Sequence, residues 1–439
     1  MRRILLVMNQ PPGCSGVQAL IYNKILPFTD ANGWELHFAG PAPWLCSVIT
    51  ESLPYPPERL HYTTNVSPSL RFSVRKNRHP KSTLPYLVFG GLQWLARTLE
   101  KICAHNSEAF LLRGLENTIR QAERRWGFDL IAGKSPDFKI LELVGQLTHS
   151  MGKPFVALVD DPYGARDESG FYPKSPELQR QILSQSRGVI FMSPLTRQRY
   201  VEAGLVEASK AHCQTDSYPE VSELYASGRS PLARRDAGPA KGPLRMVYLG
   251  MLPEWRPIEP FLEAFHRFSQ QPEHEAPPLS LDIFGFVYGQ ARQRIQSNAT
   301  LAQRIHLHSM VAYAESHWLA EDADIQLVVI GPRHLDNYPS KFFDYLAHNK
   351  PVLVLGPPQN PLRHIVEDLA IGLYVDGRSS EDILVALHTL QNQYPTYKNA
   401  YLANAQKIEA YSAHQVAANF CRLLDQCQEG GRRSAVKLS

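Results

Sequence analysis

Ten short runs of β-branched and other apolar residues, separated by stretches of helical periodicity, set the tightest limit on what this chain can fold into. The first five are RILLVMN (3–9), ELHFAG (35–40), DLIAG (129–133), FVALVD (155–160) and GVIFMS (188–193). Helical sequence lies between them, such as VQALIYNKILPFTDAN from Val17 and FKILELVGQLTHSMG from Phe138. Strand, helix, strand in this order predicts a doubly wound parallel sheet. The pattern breaks at ASGRSPLARRDAGPAKGP (226–243), which has no periodicity and reads as a linker. It then restarts with LRMVYLG (244–250), LSLDIFG (279–285), RIHLHS (304–309), IQLVVIG (325–331) and PVLVLG (351–356).

The expected architecture is therefore α/β, with two Rossmann-like domains of similar size facing a central cleft. The first spans 1–225, the linker 226–243 and the second 244–410. A closing helix follows at 411–428, and EGGRRSAVKLS (429–439) is expected to fray. A length of 439 residues agrees, being long for one core. Sheets of this kind bind ligands beyond the carboxyl ends of their strands.

Composition narrows the function. A formal charge of +4 is too mild to argue for nucleic acid. Six cysteines lie scattered without a CxxC pair or metal-ligand spacing, as in a reducing compartment. The apolar run in MRRILLVMNQPPG is shorter than the roughly 7–15 residues of a signal-peptide core. No run approaches the roughly 20 residues of a membrane span. A cytoplasmic protein is expected.

The stretch YPSKFFDYLAHNKPVLVLG (338–356) poses a question of charge. Asn337 and Pro339 look like the cap and first residue of a short helix, which Asn349 would end in a left-handed conformation. Lys341 then falls in the first turn, where a cation is disfavoured by roughly 0.3–1 kcal/mol unless an anion joins it. One answer is a local ion pair with Asp344, three residues on. The other is a bound phosphate.

PSKFFDYLAHNKPVLVLG resembles the nucleotide-sugar signature PxKxxEYxAxGKPV of GT-B glycosyltransferases of the glycogen-synthase-like, retaining kind. The resemblance implies that Lys341 and Ser340 hold a donor diphosphate and that Asp344 binds ribose hydroxyls. Asp336, eight positions before Asp344, becomes the acid facing the donor sugar, although it could equally cap the helix. LRMVYLGMLPEWRPIEPFLEAF (244–265) is similar to the first strand, glycine turn and helix of the family's second domain. Arg256 occupies its diphosphate-binding lysine position, while Met251 stands where the usual arginine would be. Gly250 and Gly285 mark the turns that line the donor site.

In the first half, Gly13, Ser15 and Gly16 form a strand-to-helix loop that the resemblance places at the cleft. Asp161, at a strand's carboxyl end, is either a base for an acceptor hydroxyl or a turn cap. The histidine common among such proteins near this point is missing. Asp322-Ala323-Asp324 lies at a helix-to-strand junction and is read as a polar turn, not a metal site.

From Arg59 to Leu99 there are seven Arg or Lys residues and no Asp or Glu, five of the seven within RFSVRKNRHPK (71–81). Leu84, Leu87, Val88, Leu92, Leu95 and Leu99 follow at helical spacing. A basic loop beside a core-packed helix is one reading. Peripheral contact of 71–99 with an anionic membrane is the other.

The function expected from the resemblance is metal-independent transfer of a sugar from a nucleotide-diphosphate donor to a saccharide, lipid-linked or other hydroxyl acceptor. The nucleotide-sugar is a co-substrate and no cofactor is implied. Localisation would be cytoplasmic, peripheral to the inner face of the cell membrane. A nucleotide-sugar epimerase on the same scaffold and a non-catalytic GT-B-like subunit are the alternatives.

Overall fold

The computed structural model describes the whole chain except residues 14–15, 44–54, 66, 78–82, 103–106, 136–137, 167–169, 222–243, 271–278 and 437–439. The expected linker at 226–243 lies outside the described residues.

Among the described residues, nine strands precede residue 222: β1 (Arg2–Val7), β2 (Trp34–Pro41), β3 (Leu60–Thr63), β4 (Leu130–Lys134), β5 (Phe155–Val159), β6 (Gly164–Arg166), β7 (Phe171–Pro173), β8 (Gly188–Phe191) and β9 (Ala211–Cys213). Seven of them form one parallel sheet in the order β3-β2-β1-β4-β5-β8-β9, and β6 and β7 pair as a small antiparallel hairpin. Six strands follow: β10 (Leu244–Leu249), β11 (Leu279–Phe284), β12 (Ile305–His308), β13 (Ile325–Val329), β14 (Val352–Gly356) and β15 (Gly372–Asp376). They make a second parallel sheet in the order β12-β11-β10-β13-β14-β15. Strand order reverses between β1 and β4, and again between β10 and β13. Each reversal opens a crevice at the carboxyl ends of its strands.

The central strands are largely apolar because helices cover both faces. Every residue of β13 and β14 is buried. Phe261 and Phe265, from helix Glu259–Ser269, pack on one face of the second sheet. Phe342 and Val366, from helices Ser340–Leu346 and Leu362–Leu369, pack on the other. Each such side chain contributes roughly 1.5–3 kcal/mol by leaving water.

The last helix, Ala413–Val436, returns to the first domain, where Val416, Phe420 and Leu424 join Ile4, Tyr22 and Ile25 in one core. Asp425 ties it down, 2.7 Å from Arg2 and accepting from the Trp34 indole at 2.7 Å. This helix continues past Gln428 to Val436, into the segment expected to fray. A second difference concerns the basic segment. RFSVRKN was expected as a loop, yet Pro68–Asn77 is helical, begun by a proline and uninterrupted by glycine.

Candidate functional site

Two glycine turns build the floor of the second domain's crevice. Gly250 follows β10 with φ +120° and Gly285 follows β11 with φ +149°. A Cβ on Gly285 would lie 2.0 Å from the Gly250 carbonyl oxygen, so only glycine lets the two turns touch. A Cβ on Gly250 would lie 3.1 Å from the Lys341 ammonium, which is thus aimed at the turn. The helix carrying Lys341 runs Ser340–Leu346, with extended Pro339 as its cap. It starts one residue later than the sequence suggests, because proline keeps the extended ψ of a cap here. Asn349 takes the expected left-handed conformation, φ +52°, and turns the chain into β14.

Lys341 is enclosed. Its Nζ lies 3.8 Å from the Tyr248 ring centroid and has no hydrogen-bond partner among the described residues. Burial lowers its pKa, and the Arg256 guanidinium adds to this against the opposing pull of Tyr248 and Asp344. Arg256 Nη1 donates to the Tyr248 hydroxyl at 3.2 Å and to the Met251 carbonyl at 3.3 Å, while its buried Nε has no partner. Burial alone would raise the Tyr248 hydroxyl, but the two cations bring it below its ordinary value. A pocket of about 260 Å³ opens beside this turn, lined in part by Glu254, Arg256, Glu259, Tyr288 and Gln290. Met251, in the position expected for an arginine, is half exposed.

The local ion pair is not what holds Lys341. Asp344 Oδ1 accepts instead from Lys24 at 3.0 Å and from the Tyr313 hydroxyl at 2.9 Å. Lys24 belongs to the first domain's helix Val17–Thr29 and also lies 2.8 Å from Asp216. Burial alone would lower Lys24, but Asp216 and Asp344 outweigh it and hold the ammonium above its ordinary value. The Ser340 hydroxyl donates to Asp216 at 2.6 Å. Ser340 and Asp344 therefore face the other domain.

The two candidate catalytic acids meet in a neighbouring cluster. Asp336 is fully buried and lies 3.1 Å from Arg199 of the first domain. Burial pushes its carboxyl up, against the pull of Arg199 and Arg166. Asp161 is more open; it accepts from Asn337, the neighbour of Asp336, and stands 3.9 Å from Arg166. Its neighbour Asp160 is paired with Lys134, so Asp161 is the acid of this pair that reaches across the cleft.

The loop glycines lie deeper. Gly13 packs against Pro43 and Tyr62, and Gly16 against Gln10; Ser15 lies outside the described residues. Sequence reading missed Lys24, Asp216, Arg199 and Tyr313, all of which touch site residues. Lys24 had a signal, as the lone charge in the apolar run VQALIYNKILPFT. The others had none.

Asp322 and Asp324 precede β13, at the amino end of the sheet and away from the crevice. Asp322 pairs with Arg245 Nη1 at 2.5 Å, and Asp324 accepts from the Arg245 backbone at 2.9 Å. Among the described residues, no group of three or more His, Cys, Asp or Glu side chains could hold a metal ion.

Two Rossmann-like domains with facing crevices and cross-cleft contacts define a protein of GT-B architecture. Solved structures agree along the full length. Sucrose-phosphate synthase from Thermosynechococcus elongatus superposes with a TM-score of 0.64 at 14% identity, covering 97% of this chain and 99% of its own. Trehalose 6-phosphate synthase from Burkholderia multivorans gives 0.62 at 12%, covering 100% and 99%. Anabaena HepE, solved with UDP-glucose, gives 0.53 at 14%, covering 99% and 100%. No protein-family profile and no curated protein sequence matches the chain.

Proposed function

We propose that the protein is a glycosyltransferase using a nucleotide-diphosphate sugar. The observation that carries this reading is the pair of cations, Lys341 and Arg256, converging on Tyr248 and the Gly250 turn, with the buried Lys341 ammonium set on the Tyr248 ring and, among the described residues, in no ion pair. Such an arrangement is electrostatically unfavourable until an anion joins it, and a diphosphate supplies that anion. Likeness in fold to two sugar-phosphate synthases and to a protein solved with UDP-glucose supports the donor class.

In the transfer, the bond between the sugar's anomeric carbon and the diphosphate oxygen breaks and the acceptor hydroxyl oxygen takes its place. Lys341 and Arg256 stabilise the charge growing on the departing diphosphate, without need of a metal. Asp161, the more open of the two acids, accepts the hydroxyl proton. Asp344 serves the ribose once Lys24 yields it, and retention of anomeric configuration is the stereochemical expectation. The acceptor is a saccharide or lipid-linked hydroxyl compound, met on the cytoplasmic side of the cell membrane with segment 71–99 turned toward it.

Thermal shift and calorimetry with UDP, GDP, ADP and their common sugars test the donor site, with Lys341→Ala in parallel. One nucleotide should stabilise the wild type and lose most of its effect in the variant. The second reading, a non-catalytic GT-B-like subunit, is favoured by one observation: Asp336, Ser340 and Asp344 are already bonded across the domains. No nucleotide binding at millimolar concentration would select it.

A further inference from the structure

Helix Pro68–Asn77 packs against helix Leu84–Ile102, and each has the other as its main contact. The two lie side by side as a helix pair. The longer helix extends about 28 Å. Leu84, Leu87, Val88, Trp94, Leu95 and Leu99 are all exposed on it, Leu84 at 73% and Trp94 at 69%. Their spacing of three, four and seven residues puts them on one face, while Gln93 points into the pair and is buried. A continuous apolar face of this size is unusual on a monomer and marks an interaction surface.

Charge decides what covers it. Arg71 and Arg75 are exposed on the shorter helix, and Arg97 is exposed on the longer one. Lys76 lies 5.4 Å over the Tyr86 ring. The sequence from 68 to 102 holds seven cations and one acid, Glu100. A second copy docking by this face would set like charges against each other around a two-fold axis. A bilayer with anionic headgroups satisfies both the apolar face and its basic border. Among the described residues, no helix is long and apolar enough to cross a membrane, so this one lies in the surface plane.

We propose that the helix pair Pro68–Asn77 and Leu84–Ile102 docks the protein on an anionic lipid surface by laying the Leu84–Leu99 face into the interface. This deepens the membrane-side acceptor reading above and rests on it only for what the acceptor is. The first domain, with the acceptor half of the cleft, is then held at the membrane.

Co-sedimentation of the full chain with phosphatidylcholine vesicles, with and without phosphatidylglycerol, tests this in the absence of nucleotide. Failure here therefore leaves the donor reading standing. Wild type should bind the anionic vesicles and be released by salt. Trp94→Glu/Leu95→Glu should abolish binding with the thermal midpoint unchanged, since both side chains face solvent. Arg71→Ala and Arg75→Ala should each weaken binding roughly five-fold. Equal binding to neutral vesicles would overturn the charge argument. Lack of vesicle binding would overturn the proposal, and a dimer that Trp94→Glu/Leu95→Glu splits would assign the face to self-association.

Discussion

Lys24 and Lys341 both carry a buried ammonium near Asp344, yet their surroundings treat them in opposite ways. Lys24 sits between Asp216 and Asp344, and the two carboxylates hold it charged above its ordinary pKa. Lys341 has an aromatic face, a glycine turn and the nearby Arg256 guanidinium, and its pKa is lowered. The first is a completed interaction that joins two domains. The second is half of an interaction, and the missing half is what a ligand brings. Burial alone does not separate a structural charge from a binding one; the partner count does.

The largest effect should come from removing the paired lysine. Lys24→Met leaves Asp216 buried and Asp344 half-buried without their shared cation, a change that costs roughly 3–5 kcal/mol. Denaturant unfolding would measure it. A loss no greater than that of Lys341→Met would break the contrast.

Lys341→Met should act the other way. Removing an ammonium that makes no ion pair among the described residues, and whose contact is the Tyr248 ring, should cost the free protein little stability. Its stabilisation by nucleotide, roughly 2.7 kcal/mol for wild type at a hundred-fold excess over Kd, should largely vanish. A variant that melts early without nucleotide would mean that Lys341 is part of the fold.

This contrast also explains what the sequence could reveal. The runs of β1, β2, β10, β13 and β14 were readable because strands buried on both faces are continuously apolar. β3, β9 and β15 were not, being three to five residues long at sheet edges or ends and only partly buried. Lys341 stood out because its conflict is local, a cation in the first turn of its own helix. The pairing of Lys24 with Asp344 joins residues 320 positions apart. Nothing near either residue encodes it, and the same holds for Arg199 with Asp336. The sequence marks an unmet charge more readily than a met one.

Tyr248→Phe sharpens the comparison on a smaller scale. The ring beneath Lys341 stays, while Arg256 loses an acceptor and the Met251 carbonyl loses a donor at 2.9 Å. Stability should fall by about 1–2 kcal/mol. Nucleotide affinity should fall less than in Lys341→Met, as titration calorimetry would show.

The smallest expected effect is in protons. Lys24, held above the ordinary lysine value near 10.5, contributes stability below that pH, which is lost as pH climbs through its higher folded value. Lys341, held below 10.5, has the opposite sign, so its folded-state penalty eases as pH rises toward 10.5. A diphosphate beside Lys341 raises that lowered pKa again. As pH rises toward the ordinary lysine value, a nucleotide should therefore bind with uptake of a fraction of a proton, and affinity should decline. The phosphates are fully ionised there, their last pKa lying near about 6, so the proton comes to the protein. Calorimetry in buffers of different ionisation enthalpy would detect the uptake. Lys341→Met should abolish it, whereas uptake that persists in that variant would move the titrating group elsewhere in the cleft.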